Sequence, residues 1–429
     1  MRMKPKNCAL LLGAAAVSLA TTMGLAKAET EITLWSHWAD HETKVAFVEK
    51  AAQNFEAKNP GVKVKITWYQ KNSLYAALKV ALSAGKAPHI FYAEVNQTEY
   101  IDNDFLLPLD DLVDWGNIEP WSREVWTFDG KTYGFPLETQ TVELYYNKDL
   151  LKKLGFDLGD DLQLSQAEYG DLVKKASAEG IATLGQGVGD RPYPGHYFAY
   201  QTLLKKIGKE DYGNLLAGQL PYSDPRVVEH LNWVKGLIDA GMYPKSFTTI
   251  KLGESHRYFY ANPGSVALPM GSWYTSRAFN PVEKGGQPDD FPLGVMRFPA
   301  VDGGACNDCK TAAVGGSFVV NADTKHPELA AGLLNEMATP EMGTMWLTTV
   351  LVQSGVKGDP SKITGKHKPY FQELTAIGST SQYFIGLPHQ LTKGACGDAT
   401  VQIMNMAFPA GLISVEDAVK QLDAACHKG

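Results

Sequence analysis

Residues 32–100 change hydrophobic period several times in close succession, and this regularity limits the fold more than any other feature of the chain. Ile32–Ser36 is a short apolar run. His41–Ala57 sets Val45, Phe47, Val48, Ala52 and Phe55 on one helical face. Asn59-Pro60-Gly61 turns the chain into Val62–Trp68, where Val62, Val64 and Ile66 alternate with lysines. Leu74–Ala84 reads as a helix closed by Gly85, "APHIFYAE" as another short strand, and 95–100 as a further helix. A β-α-β-α-β-α order calls for a parallel sheet with helices on both faces. Ligands of such sheets sit beyond the carboxyl ends of the strands. Those ends are Ser36-His37-Trp38 and the stretch Tyr92 to Asn96.

A second α/β region follows. "TFDGKTYGFP" reads as a hairpin and "TVELYYN" as a strand leaving it. Ser165 and Glu168 form a capping box for a helix to Glu179. "IATLGQG", "GSVALPMGSWY", "FPLGVMRFPA" and "TAAVGGSFVVN" have strand character, Tyr197–Ile207 and Asp224–Ala240 helical character. From Pro327 the pattern is mostly helical, ending in a helix capped by Ser414. With no low-complexity linker between them, two α/β bodies joined by several stiff crossings are expected, with a ligand held between them.

The first 28 residues have the form of an export signal: Arg2, Lys4 and Lys6, an apolar stretch from Cys8 to Ala26, and an Ala26-Lys27-Ala28 cleavage site. Cleavage after Ala28 removes four basic residues and no acid from a chain of net charge −7, leaving −11. An acidic chain without a basic block is a poor fit to nucleic acid or anionic membrane. The remaining cysteines, Cys306, Cys309, Cys396 and Cys426, number four, and in an oxidising compartment they suggest two disulfides, Cys306–Cys309 and Cys396–Cys426. Their spacing does not form a zinc pattern.

Signatures of catalysis or cofactor binding fall short. "GGSFV" misses a nucleophile elbow by one residue, "GQGVGD" misses a dinucleotide fingerprint by a spacing, and no cofactor is implied. Glu138 and Glu143 could form the acid pair of an exported carbohydrate-active enzyme. Their separation of five places them on opposite faces of a strand, which argues against a shared bond between them. His37 and His41, with Arg191, suggest a metal or anion carrier, although Ala39-Asp40 puts His37 ahead of the helix. Trp38 and Trp273 stand at strand ends, suited either to stacking on a sugar ring or to core packing.

The stretches "KAPHIFYAEVNQTEYIDNDFLLPLDDL", "DGKTYGFPLETQTVELYYNKDLLKKLG", "SVALPMGSWY" and "GGSFVVNADTKHPELAAGLLNEMATPE" together resemble the family 1 extracellular solute-binding proteins, the carbohydrate-binding components of bacterial ABC importers. The resemblance runs from about Glu31 to Lys420. One departure is Pro88-His89, where the pattern usually has Pro-Asp. It implies a two-lobed periplasmic-binding-protein fold (type II), each lobe a mostly parallel sheet flanked by helices. Lobe 1 would hold 29–138 plus 275–325, and lobe 2 would hold 139–274 plus 326–429. The implied ligand contacts are His37, Trp38, Tyr92, Glu94 and Asn96, then Glu138 at a first crossing. Gly271, Ser272 and Trp273 would lie at a second crossing, and Gly315, Gly316 and Ser317 near a third. Arg191 and His196 are further candidates from lobe 2 and would favour an acidic group. The implied protein is a periplasmic monomer that delivers a saccharide, polyol or sugar derivative to ABC permease subunits.

Overall fold

The computed structural model describes residues 29–428, so the expected leader and its cleavage site lie outside the described residues. In chain order the strands are β1 (Thr30–Ser36), β2 (Val62–Trp68), β3 (Ile90–Ala93), β4 (Thr127–Phe128), β5 (Lys131–Thr132), β6 (Gly134–Pro136), β7 (Thr139–Asn147), β8 (Ala182–Leu184), β9 (Ser265–Gly271), β10 (Leu293–Met296), β11 (Cys309–Val314), β12 (Ser317–Val320) and β13 (Gln382–Ile385). One sheet has the order β2-β1-β3-β12-β6 and a second has β13-β11-β7-β9-β8, with β10 also paired to β7. The first alternation forms the parallel pairs β1–β2 and β1–β3. β12 and β7 run antiparallel to their neighbours, because each enters its sheet from the other body.

Two apolar cores divide the chain and give it the expected two-lobed α/β form. The first gathers buried side chains from 32–137 and 314–356, the second from 142–313 and 363–426. The expected lobe boundaries therefore shift. Residues 275–313, expected in lobe 1, belong to lobe 2: Ala278, Val295 and Ala313 lie in its core, and β10 and β11 pair with β7. The helices Pro327–Met337 and Pro340–Met345, expected in lobe 2, contribute Leu333, Leu334, Met337 and Met342 to the core of lobe 1. The pairing of β11 with β7 carries the chain to Val314 before it can cross.

Local chemistry explains most of the elements. The helix Gln166–Ala178 has its capping box, with Ser165 and Glu168 satisfying each other's backbone N–H groups. The helix starting at Tyr197 passes its expected end at Ile207 through a kink at Gly208 (φ 80°) and continues to Leu216. The helix expected over 95–100 shrinks to Glu99–Asp102, because Gln97 Oε1 accepts from the Glu94 N–H and holds 94–97 in a turn. β13 was not anticipated; four residues become a strand only through pairing with β11. Both expected disulfides form, Cys306–Cys309 with Cα atoms 5.3 Å apart and Cys396–Cys426 at 4.5 Å. Among the described residues no helix is long and apolar enough to cross a membrane.

His230 and His256 are both buried in lobe 2. Burial pushes His230 down to about 3, although its bond to the Ala199 carbonyl opposes this. Burial and then Arg277 and Arg257 push His256 to about 3. Each imidazole takes up a proton in the unfolded chain near its ordinary value but resists it when folded. The unfolded state therefore binds more protons, and stability falls as pH drops through 6.5 toward 3, by about 2 kcal/mol for each group at pH 5. The melting temperature should decline between pH 7 and 5, and His256→Gln should flatten that decline; an unchanged slope in scanning calorimetry would contradict it.

Candidate functional site

Three chain segments pass between the lobes, and they meet at Glu138. Its N–H donates to the Gly316 carbonyl (2.8 Å), its carbonyl accepts from the Gly315 N–H (2.9 Å), and it forms an isolated bridge with Ser354. Ser354 Oγ donates to the Leu137 carbonyl (2.7 Å) and the Thr139 N–H to the Gln353 carbonyl (3.2 Å). The crossings are therefore 138–141, 314–316 and 351–362. Gly315 and Gly316 lie at the second of these. Gly271-Ser272-Trp273, expected at a crossing, instead ends β9 within lobe 2, because Tyr274 and Ala278 beyond it remain in the core of that lobe.

Each of the two glutamates is answered by its own lysine. Lys44 Nζ sits 2.6 Å from Glu138 Oε1, both side chains buried. Lys310 Nζ lies 2.7 and 2.8 Å from the two oxygens of Glu143, which also accepts from Thr141 Oγ1 (2.6 Å). Neither lysine was singled out from the sequence, where each looks like one more surface cation. Glu143 is thus both buried and matched by a lysine.

The carboxyl ends of β1 and β3 bring His37, Tyr92 and Glu94 together. His37 lies edge-on to Tyr92 with ring centroids 4.1 Å apart. Tyr92 OH donates to Glu94 Oε1 (3.0 Å), and Lys71 forms a short ion pair with the same oxygen. Burial first, then Lys71 and Lys44, push His37 down to about 2; burial and Lys44 push His41 to about 4. Both imidazoles are thus uncharged at neutral pH. Asn96 is exposed in the turn beyond.

Several expected contacts are turned inward. Trp38 is 0% exposed, packed against Phe318, Trp346 and Tyr92 with Lys44 Nζ 5.2 Å from its ring, so its faces belong to the core. Its small neighbours serve that packing: a Cβ on Gly316 would lie 2.7 Å from Trp38 and 2.8 Å from Glu138. The Gly315 N–H is taken by Glu138, and Ser317 Oγ accepts from Trp126 Nε1 (2.7 Å), so both serve the chain itself. His196 is 1% exposed, with Nδ1 2.8 Å from Asn405 Oδ1, and burial holds it well below its ordinary value. It supplies no positive charge to an acidic ligand, and Arg191 is exposed on the preceding loop. Trp273 remains half-exposed, its ring folded over Gly271, where a Cβ would meet it at 1.7 Å. Ser272 Oγ is buried and donates to the Thr139 carbonyl (2.9 Å), joining the end of β9 to the first crossing.

The lobes touch across the cleft. Lys284 of lobe 2 bonds both carboxylate oxygens of Glu42 (3.0 and 3.2 Å), and Trp121 stacks on Tyr383 with centroids 5.9 Å apart. His389, on the short helix Pro388–Leu391, is pushed to about 4 by burial and feels Glu94 and Lys71 of the opposite lobe. A depression of about 710 Å³ elsewhere on lobe 2, lined by Asp160, Asp161, Arg297 and Thr380 among others, contains none of the expected contacts. Among the described residues, the His/Cys/Asp/Glu cluster close enough for a metal is Cys306, Asp308 and Cys309, and both thiols are in the disulfide.

The profile of the bacterial extracellular solute-binding proteins matches residues 50–353. The chain belongs to that family. It is 26% identical over 378 residues to the arabinooligosaccharide-binding protein of Bacillus subtilis (strain 168), covering 82% of this chain and 80% of the relative. Its fold is similar to a chitin oligosaccharide binding protein (TM-score 0.74, 19% identity, 92% of this chain and 97% of the other). It is also similar to the solute-binding protein RafE in complex with raffinose (TM-score 0.66, 18% identity, 92% and 99%); RafE has also been solved in its apo form from Streptococcus pneumoniae.

The ion pair under the crossing gives a direct test. Lys44→Met would leave Glu138 buried without its partner, a loss of roughly 3–5 kcal/mol. Lys44→Met combined with Glu138→Gln should recover part of that loss in chemical denaturation. Equal stability of the single and double variants would show that the pair is not coupled.

Proposed function

We propose that this chain is an exported receptor that captures an uncharged saccharide between its lobes and delivers it to the permease subunits of an ABC importer. The observation that carries the reading is the charge balance of the cleft. Glu94 is neutralised by Lys71, Glu138 by Lys44, and burial holds His37, His41 and His389 in their neutral forms. What faces a ligand is a set of hydroxyl-matching groups with a half-exposed indole, Trp273. Family membership and the names of the relatives support a sugar over other neutral solutes.

The same pairs support a carrier over an enzyme. An acid/base couple needs two carboxyls on one bond, one of them able to give up a proton. Glu138 and Glu143 are instead locked to separate lysines, at a crossing and within lobe 2 respectively. Capture then requires no covalent step. A ligand touching both lobes binds the closed form better than the open form and shifts the population toward it. The two disulfides suit an oxidising compartment such as the periplasm, which a monomer released by cleavage after Ala28 would reach.

A thermal-shift screen of neutral mono- and oligosaccharides against uronic and phosphorylated sugars tests this. Neutral sugars should raise the melting temperature by several degrees and compact the protein in small-angle scattering, and incubation should yield no product. A response to the anionic sugars alone would overturn the uncharged-ligand reading, and release of a cleaved glycoside would overturn the carrier.

A further inference from the structure

The ion pair of Lys284 with Glu42 joins residues 242 positions apart, one on each lobe. Its side chains are 54% and 84% exposed. A pair so open to water adds little to the stability of either body. Its two ends are nevertheless well fixed. Glu42 opens the helix Glu42–Lys58 a short loop after the end of β1, where the helix dipole favours an acid. The same first turn sets Lys44 2.6 Å from Glu138, which anchors this end of the helix to the crossing. Asp40 accepts from Gln70 Nε2 (2.7 Å) within lobe 1, and Glu42 is the carboxylate that reaches lobe 2. Lys284 ends the short turn Val282–Lys284, in the segment that leaves the carboxyl end of β9. That turn is tied down on lobe 2. Tyr260 OH donates to the Gly285 carbonyl (2.6 Å), and the Gln287 N–H donates to the Ala278 carbonyl (2.8 Å). Both charges belong to residues outside the three crossings, so rotation of one lobe against the other at those crossings separates them.

We propose that Glu42 and Lys284 form an electrostatic latch made only while the lobes are together, and that it sets how tightly the receptor holds its sugar without touching it. The inference rests on the saccharide-capture reading above. Apparent affinity is reduced by the fraction of the chain that is not in the binding-competent form. A contact made in the closed form alone raises the competent fraction, and that gain appears directly as affinity. An exposed pair also weakens with salt, because the Debye length contracts from about 30 Å at 0.01 M to about 8 Å at 0.15 M and about 3 Å at 1 M. An uncharged sugar carries nothing for salt to screen. The latch makes its capture dependent on ionic strength all the same.

Calorimetric titration of the mature chain with arabinotriose, chitotriose, raffinose and glucuronate, at about 0.02 M and about 0.5 M sodium chloride, provides the test. The wild type should bind one of the three neutral sugars about two- to fivefold more weakly at the higher salt. Glu42→Gln and Lys284→Gln should each weaken binding by about the same factor at low salt, and each should abolish the salt dependence. The double variant should bind no more weakly than either single one. Melting temperatures of the unliganded variants should match the wild type, which separates loss of the latch from loss of the fold. Wild-type affinity in both variants, or a salt dependence that survives in both, would overturn the latch while leaving the receptor reading intact. Additive losses in the double variant would show that the two charges act apart. Binding of glucuronate alone, or of none of the four, would instead remove the reading on which the latch rests.

Discussion

The buried ion pair between Lys44 and Glu138 is the constraint around which the rest is arranged. Glu138 is where all three crossings meet, and a carboxylate there must be matched or it destabilises the junction. Lys44 can match it because the helix Glu42–Lys58 starts a short loop after the end of β1 and sets Lys44, in its first turn, against Glu138. The ammonium sits over Trp38, Trp38 packs on Phe318 of β12, and Gly316 has no side chain because Trp38 and Glu138 occupy that space. The hinge and the core of lobe 1 are thus one packed unit.

That arrangement also decides what is left for a ligand. Residues that a sequence reading assigns to the cleft, Trp38, Gly315, Gly316 and Ser317, are used to brace the junction. His37 and Glu94 stand instead at the ends of the lobe 1 strands, and Trp273 stays partly exposed on lobe 2. The contact of Lys284 with Glu42 and the stacking of Trp121 on Tyr383 hold the two surfaces against each other. Both pairs bridge the lobes without involving Glu94 or His389.

Much of the fold was legible because it is local. The period changes over 32–93, the capping box at Ser165 and the Ser414 cap each act within a few residues, and they form where the pattern puts them, whereas the helix expected over 95–100 does not. The Cys306–Cys309 clip followed from local spacing, and with an even count Cys396 was left to tie back the last helix through Cys426. The lobe boundaries were less legible. Whether β11 pairs with β7 depends on two stretches far apart in the chain, and the helices after Pro327 have an apolar face that fits either lobe equally well on paper.

The sequence by itself determined a chain of alternating strands and helices, two bodies without a tether, and two acids on opposite faces of a crossing strand. Those are consequences of period, composition and spacing. Only the tertiary structure decided which lysine answers each acid, that Trp38 is core while Trp273 stays partly exposed, and that His196 is buried against Asn405. The physical reason is that burial and charge matching are set by neighbours distant in the chain. Lys44 and Glu138 are 94 positions apart, Lys310 and Glu143 are 167 apart, and His196 and Asn405 are 209 apart. No local pattern encodes such a meeting, and only folding brings these partners together.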